Sequence, residues 1–386
     1  MRTSNLKPIR IAQRSLLFFL IAICLAIAPA NLTAQDAARR AKDALMVKAL
    51  LRLPGVDLEG KPEAKAALLR HLATIRGSEQ YLEIVEKFKL REVKEELLRL
   101  AIEQAEGTLG VRAAGMLVKL EELKFLARAI AAADAAQAAK LVSVLGLVAD
   151  AKTNELMFPL ALKADAPLTI RAAAVTAIGR NAPGQKWLLG IVEEGKLSVD
   201  LKFAAANALL SSADEAIRES AGKHLSLPAA AGGQALPPVV ELVKRSGDAT
   251  RGKELYATIG SCAKCHKVKG EGKEVGPDLS EIGSKLSKEA MYVSILDPSA
   301  GVSVNFETWL IRTLDGTLLS GVLVSQTDDS VELKTAEAIV HKLRKDDIEA
   351  MKKQTTSLMP ADLQKQLQVQ DVVDIVEYLT TLTKPS

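Results

Sequence analysis

Cys262-Ala263-Lys264-Cys265-His266 has the C-x-x-C-H spacing that suits attachment of a c-type haem. Two thiols one turn apart can each form a thioether to a haem vinyl group. The adjacent imidazole then lies under the iron, with His266 as the proximal axial ligand. A dithiol redox pair and half of a zinc site share the C-x-x-C spelling. Structural zinc needs about four protein ligands, and no cysteine follows Ala34 other than these two. A thioredoxin-like pair is expected near a βαβ pattern, which this region lacks. The residues therefore point to one covalently bound haem c held by Cys262, Cys265 and His266.

The motif needs elements to hold it. Residues 248 to 258 form a predicted helix capped by Asp248, with Gly252 and Tyr256 four apart on one face. Asp371 to Leu379 is a second, with Val372, Ile375, Val376 and Leu379 at i, i+3, i+4 and i+7. Between them, alternation from Phe306 to Thr313, the turn Asp315-Gly316, and strand patterns over 317–325, 330–334 and 338–343 predict four or five short antiparallel strands. This β insertion spans about 302–350 and is expected beside the Met359 loop, as a shield for a haem edge, a docking surface, or simple cover for apolar loops.

In class I cytochromes c the first and last helices cross at a glycine and an aromatic residue, and Gly252, Tyr256 and Tyr378 fit that crossing. Val275-Gly276-Pro277-Asp278-Leu279, Ile295-Leu296-Asp297-Pro298-Ser299 and Ser357-Leu358-Met359-Pro360 follow in order. Together these motifs resemble the haem-binding domain family named for planctomycete and verrucomicrobial proteins, over roughly residues 248–382. The resemblance implies that the Pro277 carbonyl accepts a hydrogen bond from the His266 ring and that Met359 is the second axial ligand. A thioether opposite histidine raises the potential into the range used for electron transfer. Met291, inside an expected helix Ser287–Leu296, and Met351, in a charged stretch, read more simply as core or surface residues. His341 or an open site is the remaining alternative. Many members of that family also carry a dehydrogenase-like β-propeller, a pattern not found here, so the resemblance does not extend to substrate oxidation by this chain itself.

Upstream, residues 35–226 show helix after helix, broken at Leu53-Pro54-Gly55, Arg76-Gly77-Ser78, Asp165-Ala166-Pro167 and Asn181-Ala182-Pro183-Gly184. Ile170 to Ile178 aligns with Leu201 to Leu209 at an offset of 31, and Leu145-Gly146 precedes Ile178-Gly179 by 33. A repeat of about 30 residues made of two helices marks an α-solenoid and resembles short HEAT-like repeats. An irregular helical bundle is the plainer reading. His71 and His224 stand alone in this region, and no catalytic constellation appears. Residues 227–238, rich in Pro, Gly and Ala, read as a linker with too little apolar bulk to pack. The fold class is thus mainly α: a solenoid, then a class I-like cytochrome c domain over 239–386 with its β insertion.

Residues 1–34 carry an export signal: Arg2, Lys7, Arg10 and Arg14, an apolar run from Leu16 to Ile27, and small residues at Ala28-Pro29-Ala30. Cleavage is expected between Ala30 and Ala34. The run is shorter than the ~20 residues of a membrane span, so no span is expected after cleavage. Bulky Ile23 argues against lipid anchoring through Cys24. Removing the signal's four basic residues takes 51 basic and 47 acidic residues to 47 of each, which gives no electrostatic case for nucleic acid or anionic lipid. Lys264, Lys267, Lys269 and Lys273 interleave with Glu271, Glu274 and Asp278 as a solvated loop.

The expected function is one-electron transfer by a monohaem c-type cytochrome in the periplasm or cell envelope, an electron carrier more than an enzyme. The helical repeats would dock it to a redox partner such as an exported dehydrogenase or another cytochrome. The alternative is a haem-containing interaction scaffold that senses redox state or a gas through a labile or open sixth position. A peroxidase of the usual two-haem kind needs a second C-x-x-C-H, and the chain has one.

Overall fold

A computed structural model describes residues 34–105 and 107–385. The expected signal segment up to residue 33, with Cys24, lies outside the described residues. The chain divides into two compact units, Met1–Phe88 and Lys89–Ser386. In the first, helices α1 (Ala34–Arg52), α2 (Pro62–Leu72) and α3 (Glu79–Phe88) bury Leu68, Tyr81, Leu82, Ile84 and Val85. The Asp43 carboxylate, nearly inaccessible to solvent, accepts two hydrogen bonds from Arg70 at 2.8 Å each. That bidentate pairing ties α1 to α2.

Among the described residues, the second unit opens with nine more α-helices: α4 (Lys94–Glu103), α5 (Thr108–Lys119), α6 (Leu123–Ala132), α7 (Ala135–Val148), α8 (Asn154–Leu162), α9 (Leu168–Ile178), α10 (Ala182–Glu193), α11 (Lys202–Leu210) and α12 (Glu215–Gly222). Asp134, Asn181 and Asp214 cap α7, α10 and α12 through their side-chain oxygens. Helix α5 packs on α7, α7 on α9, and α9 on α11. Glycine at the contact permits the close approach: a Cβ on Gly146 would lie 2.6 Å from the Ala177 Cβ, and one on Gly179 would overlap Ala208. Polar bonds recur at matching intervals, with Asn154 and Asn181 exchanging amide hydrogen bonds at 2.9 and 3.1 Å and Ser212 donating to Gln185 at 2.7 Å.

Within residues 227–238 two side chains are packed into a core, contrary to the expectation that the segment lacks the bulk to pack. Ala230 and Leu236 are buried in the same core as the C-terminal helices. Gly232 and Gly233, both at positive φ, turn the chain so that Ala229 pairs with Ala235. The Ala231 N–H then reaches the Leu367 carbonyl at 2.8 Å. Small side chains fill this space because the backbone itself supplies the hydrogen bonds. Next, the Val239 N–H donates to Asn207 Oδ1 at 2.8 Å, and Phe203 of α11 lies against the same core. Arg180 forms a further ion pair with Glu289, at 3.0 Å.

The C-terminal core is built by α13 (Val239–Val243), α14 (Ala249–Ala257), α15 (Lys288–Leu296) and α16 (Val369–Thr380). Asp248 caps α14 by accepting from Thr250 and Arg251 N–H groups. Helices α14 and α16 cross where Gly252 meets the Asp374 carbonyl, and Tyr256 packs edge-on to Tyr378 with ring centroids 5.7 Å apart. Arg251 bonds both Asp371 and Asp374 across the same crossing.

A short hairpin, β1 (Lys267–Val268) and β2 (Glu271–Gly272), follows the motif. Five antiparallel strands come later: β3 (Thr308–Thr313), β4 (Leu318–Gln326), β5 (Ser330–Lys334), β6 (Val340–Arg344) and β7 (Ile348–Lys353), in the order β6-β5-β4-β3-β7. Strands β6 and β7 occupy opposite edges, which would stand about 19 Å apart in a flat sheet. Yet Arg344 and Ile348 are joined by three residues, a reach of at most about 14 Å. The sheet must therefore curl, enclosing Ile311, Val331 and Leu333 with Trp309, Leu323 and Met351 around them. Strand β7 extends the insertion beyond the expected end near 350. Met351, expected in a core or at the surface, packs in this small core.

Candidate haem-binding site

The C-terminal end of α14 delivers the motif. Gly260 turns the chain against the Leu255 carbonyl and Cys262 Sγ, where a Cβ would stand 2.8 and 3.4 Å from those atoms, and Ser261 takes a left-handed backbone with φ 55°. Cys262–Lys264 then forms one 3₁₀ turn, and the Cys265 and His266 N–H groups both return to the Cys262 carbonyl, at 3.0 and 2.9 Å. The following loop folds back over this turn. Lys273 N–H bonds the Ala263 carbonyl at 3.0 Å, and the Val275 and Gly276 N–H groups bond the Cys265 carbonyl at 2.9 and 2.8 Å.

That return places Pro277 beside His266. The Nδ1 atom of His266 stands 2.8 Å from the Pro277 carbonyl oxygen. A carbonyl only accepts, so Nδ1 carries the proton and the Nε2 lone pair is the one left for a metal. Burial holds the imidazole pKa below its ordinary value, against the opposing effect of the Pro277 hydrogen bond, so the ring stays neutral near pH 7. Gly276 lies flat against the ring, where a Cβ would come within 2.5 Å of Cε1 and 2.9 Å of Nδ1. The Tyr256 hydroxyl donates to the His266 carbonyl at 3.1 Å. Ring and backbone of His266 are thus held independently.

Cys262 and Cys265 are both free and half-buried. Burial pushes the Cys262 thiol up to about 11 and raises that of Cys265 as well, the opposite of the thiolate stabilisation found in redox-active pairs. Half-buried Ala263, Leu279, Ile282, Leu286, Val293 and Ile295 pack against the surrounding core. Two free thiols one turn apart, a neutral imidazole with Nε2 available, a glycine-floored ring and an apolar surround fit a covalently attached haem. Among the described residues no three His, Cys, Asp or Glu side chains converge as a metal site.

Met359 is placed by a different set of contacts. It lies half-buried in an irregular turn, its N–H bonded to Ser357 Oγ at 3.2 Å, while the Ser357 N–H bonds Ser299 Oγ at 3.0 Å. Met291 is buried in the helical core, and His341 sits half-buried on β6 opposite Leu333. The curled sheet also reaches the loop that covers the motif, where Lys334 Nζ donates to the Glu274 carbonyl at 2.7 Å and Lys273 Nζ to that of Glu337 at 3.4 Å. Glu337 is close enough to raise the Cys265 thiol further. Sequence reasoning missed this contact and the roles of Gly276 and Ser299. Their only signal was membership of the Gly-Pro-Asp-Leu and Asp-Pro-Ser runs.

Residues 249–305 match the family model for cytochrome c. No curated protein matches the chain. The match covers α14, the C-x-x-C-H turn, the Pro277 loop and α15. It supports a haem-binding cytochrome c domain with haem-based electron transfer, and such a domain implies redox partners. Among the described residues, no helix is long and apolar enough to cross a membrane.

Proposed function

We propose that this protein is an exported monohaem c-type cytochrome that carries single electrons between protein partners. The observation that carries the reading is the His266 Nδ1 to Pro277 carbonyl bond beside two free cysteines, which leaves Nε2 directed to coordination. Haem supplies the chemistry as an iron that cycles between ferric and ferrous states. Cys262 and Cys265 would tether it, and His266 and Met359 would hold the iron, the soft Met359 sulfur favouring the ferrous state. Apolar neighbours lower the local dielectric and exclude water, and the Pro277 bond raises the basicity of His266.

We read residues 35–226 as HEAT-like repeats and 239–386 as the cytochrome domain. The glycine-on-alanine contacts at Gly146 and Gly179 support a repeated packing unit. In this reading the helices present the cytochrome domain to its partner, and the contacts of Asn207 and Arg180 hold that presentation fixed.

The test is denaturing mass spectrometry of protein made in cells competent for c-type maturation. One added haem mass on a chain lacking its first 30 to 34 residues is the expected result. Haem that extracts into acid-acetone, or a mass of two haems, contradicts it.

A further inference from the structure

The β insertion leaves the cytochrome domain after α15 and returns just before Met359, so the insertion has a neck made of two stems. The outgoing stem is anchored at its root, residues 297–300, and runs irregular and largely exposed from 301 to 305. Asp297 N–H bonds the Val293 carbonyl at 2.8 Å, Ala300 N–H bonds the Asp297 carbonyl at 3.0 Å, and Pro298 and Ala300 are buried. Pro298 fixes its own φ as well. The returning stem has no regular structure from Gln354 to Pro360, and Thr355, Thr356 and Pro360 are exposed. Segments of this kind open locally at little cost unless something pins them.

Two hydrogen bonds in series supply the pin. Ser299 Oγ, on the anchored root of the outgoing stem, accepts from the Ser357 N–H at 3.0 Å, and Ser357 Oγ accepts from the Met359 N–H at 3.2 Å. Met359 is thereby attached to the end of α15 across a separation of 58 residues, and the curled sheet hangs from the same two stems. We infer that Ser299 is a positioning residue for Met359: its hydroxyl holds the Met359 turn closed against the domain and sets how readily another ligand displaces the methionine. This rests on Met359 being the sixth ligand. Its consequence is that the inserted sheet and the distal ligand share one attachment point, so a load on the sheet acts on the Met359 turn.

Imidazole titration of the ferric holoprotein, followed by the Soret shift and the weak sulfur-to-iron band, tests this. In a closed-to-open equilibrium, apparent affinity for an added ligand rises in proportion to the open fraction. Ser299→Ala removes one hydrogen bond, so imidazole should bind roughly three- to tenfold more tightly, with the sulfur band still present before imidazole is added. Ser299→Thr keeps the hydroxyl and should restore the parent affinity. Ser357→Ala breaks the second bond without touching Ser299 and should also tighten imidazole binding, which keeps the idea testable if Ser299→Ala does not load haem. Parent-like affinity in Ser357→Ala, or in Ser299→Ala, overturns the pin. Equal tightening by Ser299→Thr and Ser299→Ala assigns the effect to packing and also overturns it. Met359→Ala separates the two ideas. If that variant keeps the sulfur band, the ligand assignment fails and the inference falls with it; if the band is lost while both serine variants match the parent, only the inference fails.

Discussion

Gly252 lies so close to Asp374 that any Cβ at position 252 would overlap the Asp374 carbonyl. This contact closes α14 on α16, the last helix of the C-terminal domain. Gly252→Ala must separate α14 from α16, and overpacking of this kind costs about 1–3 kcal/mol. Denaturant unfolding of the holoprotein should show the loss, with α14 and the motif it carries disordered first. An unchanged midpoint would mean that the helices do not cross here.

Gly276 bears the same relationship to the imidazole of His266. With a Cβ at 2.5 Å from Cε1, Gly276→Ala has to tilt the ring away from the Pro277 carbonyl. The expected result is a weakened proximal bond: a ferric spectrum shifted toward high spin and a stability loss of about 1–3 kcal/mol. A parent-like spectrum in a correctly loaded variant would contradict the ring contact.

Arg251 faces two carboxylates in the first two turns of α16. Burial pushes the Asp374 pKa up, but hydrogen bonds from the Asp248 N–H, Gln370 and Arg251 outweigh it and hold the group below its ordinary value. A carboxylate lowered in the folded state contributes stability above its unfolded pKa of 3.8, and loses that contribution as pH falls through the folded value. Arg251→Gln should therefore be less stable than the parent at pH 7. The gap should narrow as pH falls below about 4 and Asp374 is protonated. Thermal melts across pH 3 to 7 measure it, and a gap independent of pH excludes the charge explanation.

Asp297 behaves in the opposite sense. Burial raises its carboxyl to about 6, with the charge of Asp200 adding to the shift and the Ala300 N–H opposing it; Asp200 is itself paired with Arg171 at 3.0 Å. A carboxyl raised in the folded state is stabilising below its unfolded pKa of 3.8, and that contribution disappears as pH rises toward 6. Asp297→Asn keeps an acceptor for Ala300 and removes the charge. It should raise the melting temperature relative to the parent at pH 7.5 and leave it nearly unchanged at pH 4. A larger gain at pH 4 than at pH 7.5 would refute the assignment.

Much of the C-terminal domain was legible because its signals are local. The Asp248 cap, the apolar face of residues 371–379 and strand 330–334 are patterns within a few residues, and each corresponds to an element the chain forms. Strand β7 was harder to read because Ile348–Lys353 is a charged edge strand whose identity comes from pairing with β3. The packing of 227–238 was invisible for a related reason. Ala230 and Leu236 share a core with residues of α16, and the Ala231 N–H meets the Leu367 carbonyl, partners that lie more than a hundred residues downstream.

By itself, the sequence determined the chemistry: the thiol spacing and adjoining imidazole of Cys262, Cys265 and His266 are properties of consecutive residues, and so is the helix that carries them. Only the tertiary structure decided which atoms those residues would meet. The Pro277 carbonyl selects the proton position on His266, Gly276 floors its ring, Ser299 pins the turn of Met359, and Lys334 brings the inserted sheet to the loop over Cys265. The physical reason is that each contact depends on loop closures between segments 10 to 60 residues apart. Their entropic cost is met by the whole core, so no local pattern encodes them.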